Sequence, residues 1–503
     1  MDKVQLSRTL LSSQQVILSS IASLCIYHVI GFGSDMKIEP DSFDVLVVGT
    51  GLIQSIVAAS AAVCGKTVLQ IDPNEYYGGI WATVSCDDIV AWSTARGRDV
   101  CTFGCIPDGL DAKRVLFDPS PKVAYADGPL ISLLLVSGAH NYTEFALTRA
   151  LMWSQDGGTF VPIAASRAEI FRDSSLTLRQ KNMLMKAVKE MTSNECDLKQ
   201  DLVSSLRMIC DDDLMERLVH GVLLQHSSNP DLTVLDASHL LKMYGKSSGK
   251  YGKSSSPFLL PLYGGGEMPQ AFCRTAAVHG AVQCLRFGVS HVDQVDSGEL
   301  DVVLTNGQKI HAKAMVASPD LVPLVSPGAQ ETQTVFCCFA LVHGKMFVDE
   351  KHCLASFPRR SSSGHVIWAL QRDFSSGCCP EGYSCLQLWC VADGCPTTPV
   401  AELKDILMDH LDCFSIFEGG HQGGTAKIEF ACFVALDSQD VGSSPYNNVA
   451  FCADFSHDMT YLNIKDESVR CFQVVCPGQS FPFDEYVSLD DESEEDAIDS
   501  GLE

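Results

Sequence analysis

Basic residues are scarce in this sequence. Across 503 residues, Lys and Arg together number 36 against 62 Asp and Glu, which gives a formal net charge of -26 at pH 7. A surface with this excess of negative charge repels phosphate backbones and anionic lipid headgroups. We therefore expect no nucleic acid partner.

Short metal-binding cysteine pairs are also missing. The chain has 22 cysteines, and its densest run contains no C-x-x-C pair; that run consists of Cys378, Cys379, Cys385, Cys390 and Cys395. Structural zinc sites favour such short spacings, and the cysteines show no module-like pattern of a disulfide framework. We expect most of them to be free, buried thiols, and we predict no metal site.

Catalytic signatures are absent as well. The sequence has no phosphate-binding P-loop of its own, no nucleophile elbow and no clustered metal ligands, and its 14 histidines are scattered. Each of those signatures sets reactive side chains at a fixed spacing. We therefore predict no catalytic residues and expect the protein not to be an enzyme.

The first forty residues allow two interpretations. The stretch from Val16 to Gly33 is apolar and follows a weakly basic start, which is typical of a signal sequence or a marginal membrane anchor. Serines and a histidine interrupt the stretch and weaken that interpretation. The alternative, which we favour, is that the working protein begins near Met36 and that residues 1–40 are an extension.

The segment from Asp41 to Asp72, DSFDVLVVGTGLIQSIVAASAAVCGKTVLQID, has the pattern of a strand, a helix and a second strand. The unbroken apolar run FDVLVV is typical of a parallel strand that is covered on both faces. Gly49 and Gly51 then turn the chain into an Ala-rich helix that ends near Gly65. We predict an α/β fold with a Rossmann-like, doubly wound domain of the FAD/NAD(P)-binding type.

The phosphate-binding loop of this unit is incomplete. A dinucleotide fingerprint needs one glycine for the turn, one for the approach of the pyrophosphate and one for close packing of the helix. Gly49 and Gly51 supply the first two, but Gln54 occupies the third position. Asp72 remains able to accept a hydrogen bond from a ribose hydroxyl. The motif therefore supports the fold more strongly than it supports a cofactor.

The rest of the chain divides by composition. Helical spacing dominates residues 166–244, which predicts a small all-helical domain inserted into an α/β domain that is split over residues 41–165 and 245–480. The tandem copy YGKSSGKYGKSSSP, residues 244–257, predicts a mobile loop because it is rich in Gly, Ser and Lys. Residues 484–503 are acidic and predict a disordered tail.

Two further segments carry a more specific pattern. DPNEYYGGIWATVS, residues 72–85, places paired tyrosines before a double glycine, and LYGGGEMPQAFCRTAAVHGA, residues 262–281, follows the helical region. With both segments in this order, the sequence resembles the superfamily of Rab GDP-dissociation inhibitors and Rab escort proteins over residues 41–483. The resemblance implies a flavoprotein-like fold that carries no flavin and holds a GDP-bound Rab GTPase.

The resemblance also implies which residues contact the GTPase. The family's platform residues match Tyr77, Glu267 and Arg274, an aromatic anchor and two charges of the kind that dominate interfaces. From the residues alone, Tyr77 is equally explained as a half-buried tyrosine that the Gly78-Gly79 turn braces. Glu267 and Arg274 are equally explained as an ion pair on one helix.

The inserted helical domain matches the family's smaller domain, whose apolar groove binds a geranylgeranyl chain. Burial of such a chain contributes about 0.8 kcal/mol per methylene-sized group. The candidate groove residues are Leu184, Val188, Leu218 and Val222. The alternative is that these residues form the ordinary core of a helical domain, since cores and lipid grooves use the same residues at the same spacing.

Escort proteins differ from inhibitors because they also present unprenylated Rab to the Rab geranylgeranyltransferase, an α/β heterodimer. The segment SRAEIFRDSSLTLRQKNMLMK resembles the escort version of the first inserted helix. There the family docks on the transferase through a Phe and, eleven residues later, an Arg. Phe171 matches the first, but Asn182 replaces the charged, forked donor. The alternative for Phe171 is packing on its own helix.

These observations favour a cytosolic Rab escort protein that binds GDP-bound Rab, presents it for geranylgeranylation and delivers prenylated Rab to membranes. The first alternative is a Rab GDP-dissociation inhibitor that does not support the transferase, and Asn182 is the reason to keep it. The second is a flavin-dependent oxidoreductase, which Gln54 disfavours.

Overall fold

The computed structural model describes most of the chain. Its described residues are 37–154, 159–164, 167–192, 199–226, 232–252, 256–324, 333–347, 351–357, 366–391, 426–438, 444–452 and 458–484. The predictions for the apolar stretch near the N-terminus, for Cys395 and for the acidic residues after Asp484 fall outside these residues.

The described β-strands follow one another along the whole chain. They are β1 Ser42–Val48, β2 Val68–Asp72, β3 Val84–Ser85, β4 Arg98–Gly104, β5 Leu116–Phe117, β6 Ala124–Tyr125, β7 Phe145–Ser154, β8 Thr159–Pro162, β9 Phe258–Pro261, β10 Val282–Leu285, β11 Val289–Gln294, β12 Leu300–Leu304, β13 Lys309–Ala317, β14 Gln333–His343, β15 His352–Phe357, β16 Ile367–Asp373, β17 Tyr383–Val391, β18 Lys427–Ser438 and β19 Val449–Phe451.

The described α-helices concentrate between β8 and β9. The helices of the described residues are α1 Leu52–Val63, α2 Ile89–Arg96, α3 Pro129–Ser137, α4 Arg167–Arg172, α5 Leu178–Thr192, α6 Leu202–Arg207, α7 Asp212–Glu216, α8 Val234–Ser247, α9 Glu267–Val278 and α10 Ile464–Val475.

The smaller sheet contains the predicted strand–helix–strand unit. Its order is β10-β2-β1-β13-β12-β11, and β19 pairs with β13. Strand β1 runs parallel to β2 on one side and to β13 on the other, so the winding of the sheet reverses at β1. Ligands of such sheets bind beyond the carboxyl ends of the strands at this switch point. The predicted unit β1–α1–β2 is confirmed. Asn306 and Gly307 lie in the turn that joins the antiparallel strands β12 and β13.

Small residues let helix α1 pack closely. Nearly all of it is buried, and it shares an apolar cluster with helices α3, α9 and α10. The alanines keep side chains short where helices cross, so backbones approach one another. Helix α9, which carries two predicted site residues, is therefore held against the helix that follows the fingerprint loop.

The larger sheet has ten strands in the order β4-β18-β14-β17-β16-β15-β7-β9-β6, with β8 paired to β7. Most neighbours are antiparallel, and β7 pairs with β15 in parallel. The segment YSCLQLWCV forms β17. Cys378, Cys379, Cys385 and Cys390 belong to β17 and the turn before it, and all four are buried.

The inserted helices do not form a separate core. Leu206, Leu214 and Leu240 belong to the same apolar cluster as Phe339 and Trp368 of the larger sheet. The indole Nε1 of Trp368 also donates a hydrogen bond to the backbone carbonyl of His220, at 3.2 Å. The helical region is therefore anchored on one face of the sheet.

The inserted helix that begins after Asp211 changes geometry half-way. Asp211 caps it, because its carboxylate accepts a hydrogen bond from the Leu214 backbone amide at 3.0 Å. After α7 the chain continues as a π-helix over Arg217–Val222. Regular α-helical spacing was therefore the wrong expectation for Leu218 and Val222.

The prediction of a mobile loop at residues 244–257 is wrong for its first turn. Tyr244 and Ser247 lie inside α8 and are buried, and the ring of Tyr244 packs edge-on against that of Phe258, with the centroids 5.9 Å apart. Tyr251, the matching tyrosine of the second copy, is exposed, so the composition of the repeat did not show that its first copy continues a helix. Among the described residues, no helix is long and apolar enough to cross a membrane.

Candidate functional site

The loop after β1 is closed by its own side chains. Gln54 is fully buried, and its Nε2 donates a hydrogen bond to Ser318 Oγ at 3.0 Å. Ser318 directly follows β13, so this bond joins the carboxyl ends of β1 and β13 across the switch point. A Cβ atom on Gly49 would lie 3.1 Å from Gln54 Nε2 and 3.0 Å from Leu321 Cδ1. Both side chains therefore occupy the space beside the turn of the loop.

Asp72 is also committed to its own chain. Its Oδ2 accepts hydrogen bonds from Thr50 N at 2.9 Å and from Thr50 Oγ1 at 2.6 Å. Its Oδ1 accepts from Asn74 N and from Asn74 Nδ2, both at 2.8 Å. Each carboxylate oxygen thus already has two donors, which leaves no free lone pair for the ribose contact that the sequence allowed.

The loop nevertheless keeps the backbone of a dinucleotide site. Gly49 has a φ of 107°, and Gly51 directly precedes α1, as in a phosphate-binding loop that ends at a helix N-terminus. The buried side chain of Gln54 and the saturated carboxylate of Asp72 oppose a bound dinucleotide. These residues therefore do not fit a bound flavin.

An open crevice of about 1060 Å³ remains next to the closed loop. Leu321 lines it and also packs against Gly49, so Leu321 separates the crevice from the loop. Trp92, Arg96 and Asp320 lie along it, and burial raises the pKa of the Asp320 carboxyl. The crevice thus mixes aromatic, positive and negative groups.

Helix α9 presents the two predicted charged residues on one side. Glu267 is its first residue, and Arg274 lies seven residues later, which is two helical turns. The guanidinium carbon of Arg274 is 4.4 Å from the ring centroid of Tyr142, a cation–π contact. Within the described part of the chain, no ion pair joins Glu267 and Arg274, so the alternative explanation of these residues is wrong there.

Glu267 titrates near neutral pH. Burial raises the pKa of its carboxyl to about 7, and the negative charge of Glu144 adds to the shift. A basic group brought close by a partner would favour the charged form and lower this pKa. Glu267 is therefore arranged to respond to a cationic partner group.

Tyr77 is half-buried and braced, as its alternative explanation predicted. Burial raises the pKa of its hydroxyl to about 12, with smaller contributions from Cys273, Cys284 and Asp72. The amide of the next residue, Gly78, donates a hydrogen bond to Thr50 Oγ1 at 2.9 Å. This bond ties Tyr77 to the closed loop. Its contact with a partner stays a prediction. We call Tyr77, Glu267 and Arg274 the platform face.

The predicted docking residues of the helical region are both exposed. Phe171 is 57% exposed at the end of α4, and Lys181 Nζ donates to its carbonyl at 2.8 Å, which links α4 to α5. Asn182 lines a shallow depression on α5 beside Leu178, which is 71% exposed. The ring of Phe171 is thus largely open to solvent, as a docking role requires. That role stays a prediction.

The four predicted groove residues separate into two pairs. Leu184 and Val188 are half-buried on α5 and pack against the core, whereas Leu218 and Val222 are buried within it. The burial of the second pair matches the alternative explanation as ordinary core. The first pair is therefore the more accessible of the two, and the groove itself stays a prediction.

Sequence reasoning missed three exposed aromatic residues beside α9. Tyr142, Tyr263 and Phe374 are 36%, 49% and 45% exposed, and we call them the aromatic rim. One signal was present, because Tyr263 stands directly before the triple glycine of LYGGGEMPQ. The other two come from distant segments that only the fold brings to this place.

Comparison with known proteins agrees with this geometry. The family model described as GDP dissociation inhibitor matches residues 39–345, more than half of the chain. The chain belongs to the GDP dissociation inhibitor family. The family resemblance seen in the sequence is therefore confirmed.

The relatives of this chain within the family include escort-type proteins. It is 28% identical over 418 residues to the Drosophila melanogaster protein named Rab proteins geranylgeranyltransferase component A, covering 75% of this chain and 80% of that one. Among solved structures, a Rab GDI from Plasmodium falciparum matches with a TM-score of 0.68 and 18% identity, covering 88% of this chain and 99% of that one.

The fold extends beyond the family. An oxidoreductase from Methanosarcina mazei matches with a TM-score of 0.57 and 12% identity, covering 86% of this chain and all of that one (100%). At that identity the match concerns the fold alone. The predicted Rossmann-like α/β fold class is confirmed.

Proposed function

We propose that this chain is a Rab escort protein. It binds GDP-bound Rab GTPase, presents it to the Rab geranylgeranyltransferase and delivers the prenylated product to membranes from the cytosol. The observation that carries the proposal is the contrast at the switch point: Gln54 closes the nucleotide loop, while Arg274 next to it stands exposed. The family membership and the component A relative support the same conclusion.

The chain acts without catalysing the transfer. Prenylation takes place on the transferase α/β heterodimer, and this chain supplies the bound Rab in a suitable position. Phe171 is the proposed contact with the α subunit, since an exposed aromatic ring is typical of an interface anchor. The geranylgeranyl lipid enters the helical region at Leu184 and Val188, which are half-buried on α5.

A prenylation assay tests the proposal directly. Purified transferase, GDP-bound Rab and geranylgeranyl diphosphate are combined with and without the full chain, and incorporation of lipid into Rab is measured. We expect incorporation to depend on the chain. The matched variants are Phe171→Ala, which should reduce stimulation, and Phe103→Ala, an equally exposed aromatic on β4, which should not. Lipid incorporation that is independent of the chain would refute the escort role.

A Rab GDP-dissociation inhibitor is the second candidate, and Asn182 favours it. The neutral amide cannot supply the charge-assisted pairing that the family's arginine supplies. If the escort proposal holds, Asn182→Arg should strengthen transferase binding severalfold in a direct binding measurement. Retention of GDP on Rab by a chain that does not stimulate the transferase would favour the inhibitor.

The proposal also includes the absence of flavin. Gln54 and Asp72 are both occupied by internal hydrogen bonds, which opposes dinucleotide binding. We expect the purified chain to be colourless and to release no flavin on denaturation. An absorbance band near 450 nm with stoichiometric flavin would contradict this and revive the oxidoreductase alternative.

A further inference from the structure

Tyr263 has an unusual backbone conformation. Its φ is +64°, in the left-handed region that a bulky residue rarely adopts. Its amide donates a hydrogen bond to the Ser376 carbonyl at 2.8 Å, and the amide of Leu262 donates to the Glu144 carbonyl at 2.9 Å. Two separate segments therefore hold this strained residue in place. Strain of this kind concentrates at functional sites.

The ring of Tyr263 lies on bare backbone. A Cβ atom on Gly377 would lie 2.4 Å from both Cδ1 and Cε1 of the tyrosine, so only glycine fits beneath the ring. Gly377 closes the short helical turn Phe374–Ser376, which the Asp373 carboxylate caps by accepting from Ser375 N at 2.9 Å. One side of the ring is thus fixed, while the residue as a whole remains 49% exposed.

A fixed, exposed aromatic ring suits an interface. A partner that packs on it does not have to order a mobile side chain, so less conformational entropy is lost on binding. Folding alone does not explain the arrangement, because the strained residue leaves about half of its surface in water. Phe374 and Tyr142 extend the exposed aromatic surface on the neighbouring segments.

The aromatic rim is continuous with the platform face. Tyr142 contacts Arg274 through the cation–π pair, and Tyr263 precedes Glu267 by four residues across the glycine loop. Two carboxylates, Glu144 and Glu267, lie close enough to Tyr263 to affect its hydroxyl. Tyr and Arg are the residue types most enriched among interface hot spots, and the carboxylates favour basic groups on whatever binds.

We propose that Tyr263 is a preformed anchor for the folded GTPase domain of the bound Rab. The anchor belongs to the same surface as Arg274 and rests on the proposed function, since it names a further contact of that partner. The occupant is the globular domain because the rim continues the platform face on α9.

Direct binding measurements test the anchor. The probe is a GDP-loaded Rab GTPase domain that ends before its prenylated C-terminus, titrated with the full chain and its variants. Tyr263→Ala should weaken binding about tenfold or more, as expected for a hot spot. Tyr263→Phe should stay within about threefold of the parent chain, because it keeps the ring. Phe103→Ala, which removes an equally exposed aromatic on β4, should change nothing.

Tyr263→Gly separates the contact from folding. Glycine adopts the left-handed conformation without strain, so this variant should unfold at the same or a higher temperature than Tyr263→Ala while losing as much affinity. The proposal is overturned if both variants bind within twofold of the parent chain. An equal loss in Tyr263→Phe would overturn the assignment to the ring.

The same titration distinguishes failure of the anchor from failure of the proposed function. If the parent chain does not bind the GTPase domain at all, the proposed function fails and the anchor fails with it. If the parent binds and Arg274→Ala weakens binding while Tyr263→Ala does not, only the anchor is refuted.

Discussion

The closed loop directly precedes α1, and Glu267 and Arg274 of the platform face lie on α9, which packs against α1. The polar groups of these two neighbouring regions are nevertheless placed in opposite ways. At the loop, Gln54 and Asp72 are buried and bonded to their own chain. On the platform face, Arg274 is exposed and Glu267 is only partly covered. The fold has thus turned a ligand-binding region inward and left an adjacent surface open for a partner. The partners of the polar side chains thus indicate which surface is open to a ligand better than the glycine motif does.

The largest expected effect is at the buried ion pair that supports the platform face. Arg372 and Asp118 are both buried, 2.8 Å apart, and Asp118 also accepts from the Gly265 amide at 2.9 Å, just before α9. Arg372→Ala leaves the Asp118 charge uncompensated, which should cost about 3 to 5 kcal/mol of unfolding free energy. Denaturant unfolding checks this. The control is Lys313→Ala, which removes a more exposed ion pair with Asp44, 2.8 Å long. A loss of unfolding free energy in Arg372→Ala as small as that of the control would refute the supporting role of the buried pair.

The next effect separates two exposed arginines. Arg274→Ala should weaken binding of GDP-bound Rab by about 2 kcal/mol, roughly 30-fold, because Arg274 stands on the platform face. Arg286→Ala is the control, since Arg286 pairs with Glu75 at 2.9 Å beside the crevice and should matter little. Titration of both variants gives the comparison. Similar losses of Rab affinity in the two variants would show that the platform face contributes no more to binding than the edge of the crevice.

A smaller effect is expected at the closed loop. Gln54→Gly removes a buried hydrogen bond and increases the conformational entropy of the unfolded chain. The unfolding free energy should therefore fall by about 1 to 2 kcal/mol, while Rab binding stays unchanged. Gln270→Gly, in the first turns of α9, is the control; it measures the helix cost together with the loss of the 3.1 Å hydrogen bond from Gln270 Nε2 to the Gly266 carbonyl. Flavin uptake by Gln54→Gly would show that this one side chain, without Leu321 or Asp72, closes the loop.

The smallest effect concerns Glu267 and pH. Its pKa of about 7 in the folded chain lies above the ordinary 4.5, so the native state binds the proton more tightly than the unfolded state does. The stabilisation from this proton is complete below pH 4.5 and is lost as pH rises through 7. Relative to Glu267→Gln, the parent chain should lose about 1 kcal/mol between pH 5 and pH 8 after allowance for solvent screening.

Unfolding measured at several pH values checks this difference. The negative charge of Glu144 contributes to the raised pKa of Glu267. Glu144→Gln should therefore make the unfolding free energy depend less on pH. A gap between parent and Glu267→Gln that does not change with pH would contradict the prediction.

Local patterns were enough to predict the nucleotide-binding half of the fold. The apolar run of β1, the glycines after it and the Ala-rich helix α1 are encoded within one short segment. The replacement of glycine by Gln54 was also visible, because it concerns a single position in a motif. Phe171 was predicted from the resemblance of its segment to the family's escort version, and its role stays a prediction.

Long-range pairing was not accessible from the sequence. The order of the ten-stranded sheet depends on contacts between segments hundreds of residues apart, such as β4 with β18. The aromatic rim has the same origin, because Tyr142, Tyr263 and Phe374 come from three segments. The burial of Leu218 was also hidden, since helical spacing does not say which neighbour covers a face.

The bond between Trp368 and the carbonyl of His220 joins the inserted helices to the sheet at a buried indole. An indole that loses this environment and meets water emits at longer wavelength. Trp368 is therefore an intrinsic fluorescent reporter at the contact between the inserted helices and the sheet. If the helices move aside to admit a prenyl chain, the emission of Trp368 will follow that movement without any attached dye.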